Sequence, residues 1–397
     1  MDVILQVFVI FVAAKAAAEV FVRLDLPAIA GELLVGVLIG PHVAGLIELN
    51  DSILTLSELG IVVLLFTVGL ETPLSELLSV GRAALLTSLA GILVALGTGV
   101  LVMLAFGHRL DESILVGTAL SASSVGVGAR VFQDLGLVTT RQARVVLGAA
   151  VVDDVVVLAL YPLVQGIGKA HGSVGGILVG LAGGIGFVAL VGVLGTRLAK
   201  RHPGLLDRPR VRRSPFVLAL ALCLGLAALA EQVGLAALVG AFLAGMVLAE
   251  TRDRYELDRR MLPLFDFLVP FFFVATAAKM DVARVLRGGL GLTLVLTVVT
   301  IAAKLAGSSL GAAGLPIRER IQVGAGMIPR NEVALVVATS SLASAGITSE
   351  VFSVIVASVL VSTLVAAPIL RQAIPASERH LPEQPGDVPP EATGRQP

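Results

Sequence analysis

The chain has 397 residues, of which 56% are hydrophobic and 15% are charged, and its mean hydropathy is +0.96. Apolar runs of this extent exclude a water-soluble domain and indicate a polytopic membrane protein. The 29 basic and 29 acidic residues cancel, so the net charge predicts no nucleic-acid partner, and the one cysteine excludes an internal disulfide.

The N-terminus has neither a basic region nor a cleavage-site pattern, and we expect it to begin the first membrane helix. Apolar runs between charged or Pro/Gly-rich breaks predict an all-α protein with about thirteen membrane spans. In chain order these spans lie near residues 3–22, 27–46, 53–70, 82–106, 113–132, 143–166, 174–197, 214–231, 234–250, 262–279, 288–313, 319–345 and 350–374.

The basic residues predict the orientation of these spans. If the N-terminus is outside, 20 of the 29 Lys and Arg residues lie on the cytoplasmic side and five on the opposite side. This bias predicts a multi-pass protein of the cell (inner) membrane with a cytoplasmic C-terminus. The proline-rich tail from Ser377 is predicted to be disordered.

Two segments of the chain recur at nearly the same offset. Residues 28–36 resemble residues 237–245, 209 positions later, and residues 64–71 are loosely echoed by residues 272–279, 208 positions later. This shift carries the second predicted span onto the ninth, an odd number of crossings, so the second copy is inverted. The sequence therefore predicts two inverted six-helix repeats, an architecture typical of secondary transporters.

Asp153 and Asp154 lie in the middle of the sixth predicted span. Eight uncharged residues separate the pair from Arg144, and fourteen separate it from Lys169. At about 1.5 Å per residue, Asp153 lies roughly 14 Å from Arg144, about half the hydrocarbon thickness. Two carboxylates at that depth require water, protons, a cation or a counter-charge.

Lys304 supplies a candidate counter-charge. Sixteen uncharged residues precede it and thirteen follow it, so it also lies at mid-depth in its span. A buried lysine near the two aspartates would form a coupled titrating system.

Two predicted spans contain residues that interrupt helices. The fifth span includes Ser123, Ser124 and two glycines, and the twelfth includes Pro329, followed by Arg330 and Glu332. Unwound backbone would provide carbonyl oxygens for a cation, although small residues also serve simple helix packing. Arg330 and Glu332 could be ligands or an ion pair that fastens a broken helix.

Lys15 and Glu19 are spaced four residues apart in the first span, which predicts a local ion pair. Such a pair would be structural, and neither residue is a candidate ligand for a transported ion.

Four segments carry a family resemblance. Residues 148–154, 118–131, 304–307 and 327–332 resemble the monovalent cation:proton antiporter superfamily, and in particular its NapA-type Na⁺/H⁺ antiporters. The similarity covers nearly all of residues 1–375 in order and with matching spacing. It implies an NhaA-like fold with crossed discontinuous helices, a homodimer in the lipid bilayer, and roles in pH homeostasis and salt tolerance.

The resemblance also implies roles for individual residues. Asp154 is the main carrier of the cation and the proton, and Asp153 forms a salt bridge with Lys304 that breaks when Na⁺ binds. Ser123 and Ser124 frame the site. Hard oxygen ligands suit Na⁺, so its ligands would be the two aspartates and these two serines. The double aspartate resembles the electrogenic branch of the superfamily, in which two H⁺ exchange for one Na⁺. No cofactor is expected, only transported Na⁺ or Li⁺ and H⁺.

The resemblance further implies a division of the chain into domains. They are a dimerisation or scaffold domain at 1–80 and 214–287, a core ion-translocation domain at 81–166 and 288–375, a linking helix with a basic cytoplasmic loop at 167–213, and a disordered cytoplasmic tail at 376–397. The core would move rigidly against the scaffold, as in elevator-type alternating access.

Other classes of protein also place charges in a membrane. An intramembrane aspartyl protease needs two aspartates facing one water, whereas consecutive residues lie about 100° apart around one helix. A cation channel needs a symmetric ring of ligands, whereas this chain has an asymmetric triad. A K⁺/H⁺ exchanger remains open, because the acidic pair does not separate Na⁺, Li⁺ and K⁺. An organic-anion symporter on the same fold is disfavoured by the acidic pair.

Overall fold

A computed structural model gives the structure of the chain, and the residues that it describes form α-helices and connecting loops, with no β-strand among them. The described residues are 2–72, 81–124, 127–128, 131–132, 135, 137, 140–169, 191, 195, 197, 201, 214–232, 237–249, 251–330 and 332–375. The predicted all-α fold is confirmed for this part of the chain.

Thirteen helices of the described chain are labelled α1 to α13. In the first half these are α1 (Val3–Arg23), α2 (Ala28–Ile39), α3 (Asp51–Leu70), α4 (Arg82–Ala105), α5 (Leu110–Ala119) and α6 (Arg141–Lys169). In the second half they are α7 (Ser214–Gln232), α8 (Ala237–Ala249), α9 (Leu257–Ala278), α10 (Leu290–Gly311), α11 (Ile317–Gly326), α12 (Glu332–Ala343) and α13 (Ser349–Ala373).

These helices follow the predicted spans closely. Seven helical stretches of the described chain are long and apolar enough to cross a membrane, from Val3–Arg23 to Ser349–Ala373. Three shorter apolar helices, α2, α8 and α12, add to them. The predicted span 174–197, apart from three isolated positions, and the predicted disordered tail lie outside the described residues.

The helix starts reproduce the predicted repeat. Helix α4 begins at Arg82 and α10 begins at Leu290, 208 residues later. The same offset separates the starts of α6 and α13, and an offset of 207 separates the starts of α5 and α11, which are both ten residues long. Corresponding helices of the two repeats thus begin at a nearly constant offset along the chain.

Helix ends are fixed by local side chains. The side chain of Asn50 accepts a hydrogen bond from Ile53 N at the start of α3, and Thr348 caps α13 through Val351 N. Asp281 caps a short helix, Val282–Arg284, that passes through a π-helical turn into α10. The Arg284 backbone N–H that donates to Asp281 lowers the pKa of this carboxyl, because it stabilises the charged form.

Glycines bring α4 and α10 into direct contact. A Cβ atom added at Gly307 would lie 2.8 Å from the backbone oxygen of Ala90, and one added at Gly311 would collide with the backbone of Leu86. Only glycine allows the two backbones to approach this closely. Elsewhere α3 packs against α8 and α9, and α1 packs against α2. The close contact places Lys304 of α10 directly beside α4.

Candidate ion-binding site

Two helices are interrupted where the sequence predicts it. Helix α5 ends at Ala119, and the residues up to Ser124 are not helical. Helix α11 ends at Gly326, and residues 327–330 are unwound before α12 begins. Both breaks free backbone groups inside the protein, and these groups need new partners.

Residues of the two interrupted segments form hydrogen bonds with each other. The backbone N–H of Ser124 donates to Pro329 O at 2.8 Å, and the Ser123 hydroxyl donates to Met327 O at 2.8 Å. Both serine side chains are buried. Ser123 and Ser124 therefore lie at the crossing of the two interrupted segments.

Arg330 fastens this crossing to α10. Its guanidinium donates to Ala122 O at 3.2 Å and to Thr300 O at 3.0 Å, and 2% of the residue is exposed. Among the described residues it forms no ion pair with Glu332. The alternative of an Arg330–Glu332 ion pair is therefore wrong, because the guanidinium donates instead to the Ala122 carbonyl of the first interrupted segment and to the Thr300 carbonyl of α10.

The expected contact between Asp153 and Lys304 is present. Lys304 Nζ lies 2.6 Å from Asp153 Oδ2 and also donates to Ser121 O at 2.7 Å. Both side chains are fully buried. The remaining oxygen of Asp153, Oδ1, accepts a hydrogen bond of 2.7 Å from the Ser88 hydroxyl of α4. The pair is thus a closed set of hydrogen bonds in a low-dielectric environment.

Asp154 is the next residue of α6 and is also buried, with 3% of its surface exposed. Since successive residues of an α-helix are about 100° apart, it points to a different side of α6 from Asp153. Its charge acts on Lys304, as do the charges of Asp153 and Arg330. The two aspartates, Lys304 and the crossing therefore form one electrostatic unit.

Glu332 lies away from this unit. It lines a cavity of about 200 Å³ between α3, α9 and α12. The other lining residues are Leu64, Thr67, Val68, Glu71, Asp258, Leu262 and Phe265. Of the predicted site residues, Asp153, Asp154, Lys304, Ser123, Ser124 and Arg330 are brought together, and Glu332 faces this cavity.

Some partners could not be read from the sequence. Ser88 is one small polar residue among many in an apolar helix, and only its contact with Asp153 singles it out. The predicted local pair of Lys15 and Glu19 is wrong. Lys15 instead pairs with Asp266 of α9 at 3.3 Å, and Glu19 pairs with Arg23 at 2.8 Å.

Comparisons with known proteins agree on a family. Residues 8–373 match the model of the family described as "Sodium/hydrogen exchanger, transmembrane". The chain is 31% identical to the "High-affinity Na(+)/H(+) antiporter NhaS3" of Synechocystis, over 98% of this chain and 93% of that protein. It is 30% identical to the "Na(+)/H(+)-K(+) antiporter GerN" of Bacillus cereus, over 95% and 97%.

A solved structure supports the same fold. The sodium proton antiporter MjNhaP1 from Methanocaldococcus jannaschii superposes with a TM-score of 0.69 at 18% identity, and covers 93% of this chain and 95% of its own. The resemblance to the monovalent cation:proton antiporter superfamily is thereby confirmed. The chain belongs to the sodium/hydrogen exchanger family of transmembrane proteins.

Proposed function

We propose that this protein is a secondary Na⁺/H⁺ antiporter whose cation and protons compete for one site at Asp153 and Asp154. The observation that carries this proposal is the buried Asp153–Lys304 pair, 2.6 Å long, beside Asp154 and the crossing of two interrupted helices. The relatives NhaS3 and GerN are both named as Na⁺/H⁺ antiporters, which supports the same activity here.

The site suits a small hard cation. Asp154, Asp153, Ser123 and Ser124 supply carboxylate and hydroxyl oxygens, and the unwound segments add carbonyl oxygens. A buried carboxylate needs a compensating charge, which a proton, Na⁺ or the Lys304 ammonium can provide. Since these partners exclude one another, Na⁺ binding and proton binding compete, and no separate regulatory site is required for exchange.

Lys304 makes the exchange electrogenic in this proposal. When Na⁺ enters beside Asp154, Asp153 releases Lys304, and the protons held by this coupled set leave. The stoichiometry that follows is two H⁺ for each Na⁺. Without an ammonium at position 304, one titrating group would be lost. Only the two aspartates would then remain to bind Na⁺ or protons.

Alternating access follows from movement of a core against a scaffold. We assign residues 81–166 and 288–375 to the core, and residues 1–80 and 214–287 to the scaffold. Packing supports the division, because α4 lies on α10 within the core and α3 lies against α8 and α9 within the scaffold. The cavity lined by Glu332 lies between scaffold helices α3 and α9 and core helix α12, where the two parts would separate.

We also propose that the protein spans the cell (inner) membrane with its N-terminus outside, and that it forms a homodimer. Lys15 and Asp266 support the dimer. Both residues lie well inside their helices, yet 39% and 54% of their side chains are exposed. Charges at that depth are unfavourable against lipid, and a second copy of α1 and α9 would cover them.

Potassium/proton exchange is the second candidate. The name of GerN, which includes K⁺ beside Na⁺, is the observation that favours it. A larger cation would use the same ligands, so this alternative changes the selectivity and leaves the site unchanged.

Proteoliposomes test the proposal directly. A fluorescent dye reports the collapse of a pH gradient on addition of Na⁺, Li⁺ or K⁺, with and without a valinomycin clamp. We expect Asp154→Asn to abolish Na⁺-dependent proton movement, and Asp266→Asn, the matched change of an exposed carboxylate in α9, to retain it. Exchange by Asp154→Asn at the wild-type rate would exclude the proposed site. A response to K⁺ greater than to Na⁺ would favour the alternative.

A further inference from the structure

Helix α4 contributes two features to the buried pair that the family resemblance did not single out. Ser88 is fully buried and donates its hydroxyl to Asp153 Oδ1 at 2.7 Å, on the carboxylate oxygen that Lys304 does not contact. Gly91 lies on the same face, three residues later. A Cβ atom there would collide with the Ser308 hydroxyl and lie 3.3 Å from Lys304 Nζ.

We propose that Ser88 is a positioning residue for Na⁺/H⁺ exchange, which holds Asp153 while Lys304 leaves, and that the space at Gly91 admits the Lys304 ammonium. This inference rests on the proposed function, because it assigns a role within the opening of the Asp153–Lys304 pair.

The chemistry of the hydroxyl explains the role. An ammonium can only donate hydrogen bonds, whereas a serine hydroxyl can donate to a charged carboxylate and accept from a protonated one. Ser88 can therefore stay bonded to Asp153 in every state of the exchange cycle. Lys304 cannot, because its bond is lost when the pair opens.

Loss of Ser88 affects the two states of the pair unequally. With Lys304 in place, the ammonium still compensates Asp153. After Lys304 has left, Asp153 would keep no donor from α4, and a buried carboxylate without donors is unstable. Removing the hydroxyl therefore disfavours the open, Na⁺-bound state more than the closed state, and the apparent affinity for Na⁺ falls.

A side chain at position 91 has the opposite effect on the apparent affinity for Na⁺, which it raises. A methyl group there would collide with the Ser308 hydroxyl and lie 3.3 Å from Lys304 Nζ, so the ammonium beside Asp153 would have to shift by a few tenths of an ångström. This destabilises the closed state, from which Na⁺ must release the lysine, and so it favours Na⁺ binding.

The experiment measures Na⁺-dependent exchange in proteoliposomes at one pH, with KM and the maximal rate determined separately. We expect Ser88→Ala to raise the KM for Na⁺ about three- to tenfold with a maximal rate within about twofold of wild type. Ser88→Thr, which keeps the hydroxyl, should restore the KM. Gly91→Ala should lower the KM.

Thr87→Val is the matched control, since Thr87 is the preceding residue and its buried hydroxyl has no hydrogen-bond partner among the described residues. Its KM should equal that of the wild type. An unchanged KM in Ser88→Ala, the same rise in Thr87→Val, or no rescue by Ser88→Thr would overturn the inference. Retained exchange in Asp154→Asn would instead remove the proposed function itself, so the two failures are distinguishable.

Discussion

Two lysine–aspartate pairs lie well inside membrane helices of this chain, and they differ in almost every other respect. In the proposed core, Lys304 and Asp153 are 2.6 Å apart and fully buried. In the proposed scaffold, Lys15 and Asp266 are 3.3 Å apart and partly exposed. The same two residue types thus form a tight buried contact in one region and a loose surface contact in the other.

The neighbours of each pair explain what the difference means. Lys304 also donates to the Ser121 carbonyl, and Asp153 also accepts from Ser88. Removing one member of a buried pair leaves an uncompensated charge, which costs about 3–5 kcal/mol. A partner of the buried pair can therefore leave only when a cation or a proton takes its place. This requirement makes the buried pair suitable for coupling two ions.

The largest effect is expected from Lys304→Ala. Without the ammonium, one titrating group is lost, and we expect transport that is electroneutral or weak. The charge moved on a solid-supported membrane after a Na⁺ jump should fall at least tenfold. Lys15→Ala, which removes the scaffold lysine, is the control and should keep its charge movement. Equal charge movement by Lys304→Ala and the wild type would contradict the role of Lys304.

A smaller effect is expected from Arg330→Lys. Arg330 joins two carbonyl groups, of Ala122 and Thr300, and a single ammonium does not reproduce this planar arrangement. One buried carbonyl group loses its charged donor, at a cost of about 1–3 kcal/mol.

Thermal unfolding in detergent measures this change. We expect Tm to fall by roughly 2–8 °C. Arg23→Lys, at a guanidinium whose side chain is 76% exposed, should leave Tm unchanged. If both variants unfold at the wild-type temperature, the crossing does not depend on Arg330.

The smallest effect on transport is expected in the scaffold. Lys15→Met leaves Asp266 without its partner on α1. The exchange rate per protomer should stay within about twofold of wild type, because Asp153 and Lys304 are held by Ser88 and Ser121 and not by this pair. The proposed dimer should weaken, since an unpaired carboxylate would lie at its interface. Light scattering of the detergent-purified protein gives the dimer fraction, and a rate reduced tenfold with the dimer intact would place Lys15 in the transport path.

The burial of Asp153 and Lys304 and the two helix breaks could be predicted from the sequence, whereas most lateral neighbours could not. The uncharged runs around Asp153 and Lys304 indicate that both lie at mid-depth, and serine, glycine and proline indicate the helix breaks. These signals are local in the chain. The partner of Lys15 depends on which helix lies beside α1, and Asp266 is 251 residues away.

The same limit applies to Arg330. A glutamate two residues away predicts an ion pair, but the guanidinium donates to the backbone carbonyl groups of Ala122 and Thr300, which the spacing in the sequence does not indicate. Ser88 could not be singled out for a different reason, because apolar membrane helices contain many serines and threonines. Only its contact with Asp153 of α6 distinguishes it from them.

The 208-residue offset between α4 and α10 has a consequence for the number of ions that each chain can carry. At that offset Asp153 corresponds to Val361, and Lys304 corresponds to Leu96. The two repeats thus share helix positions, but the charges of Asp153 and Lys304 have no counterpart at the corresponding positions. A fully symmetric pair of repeats would hold two such charged pairs, whereas this sequence provides one, so under the proposed function each chain carries one Na⁺ at a time.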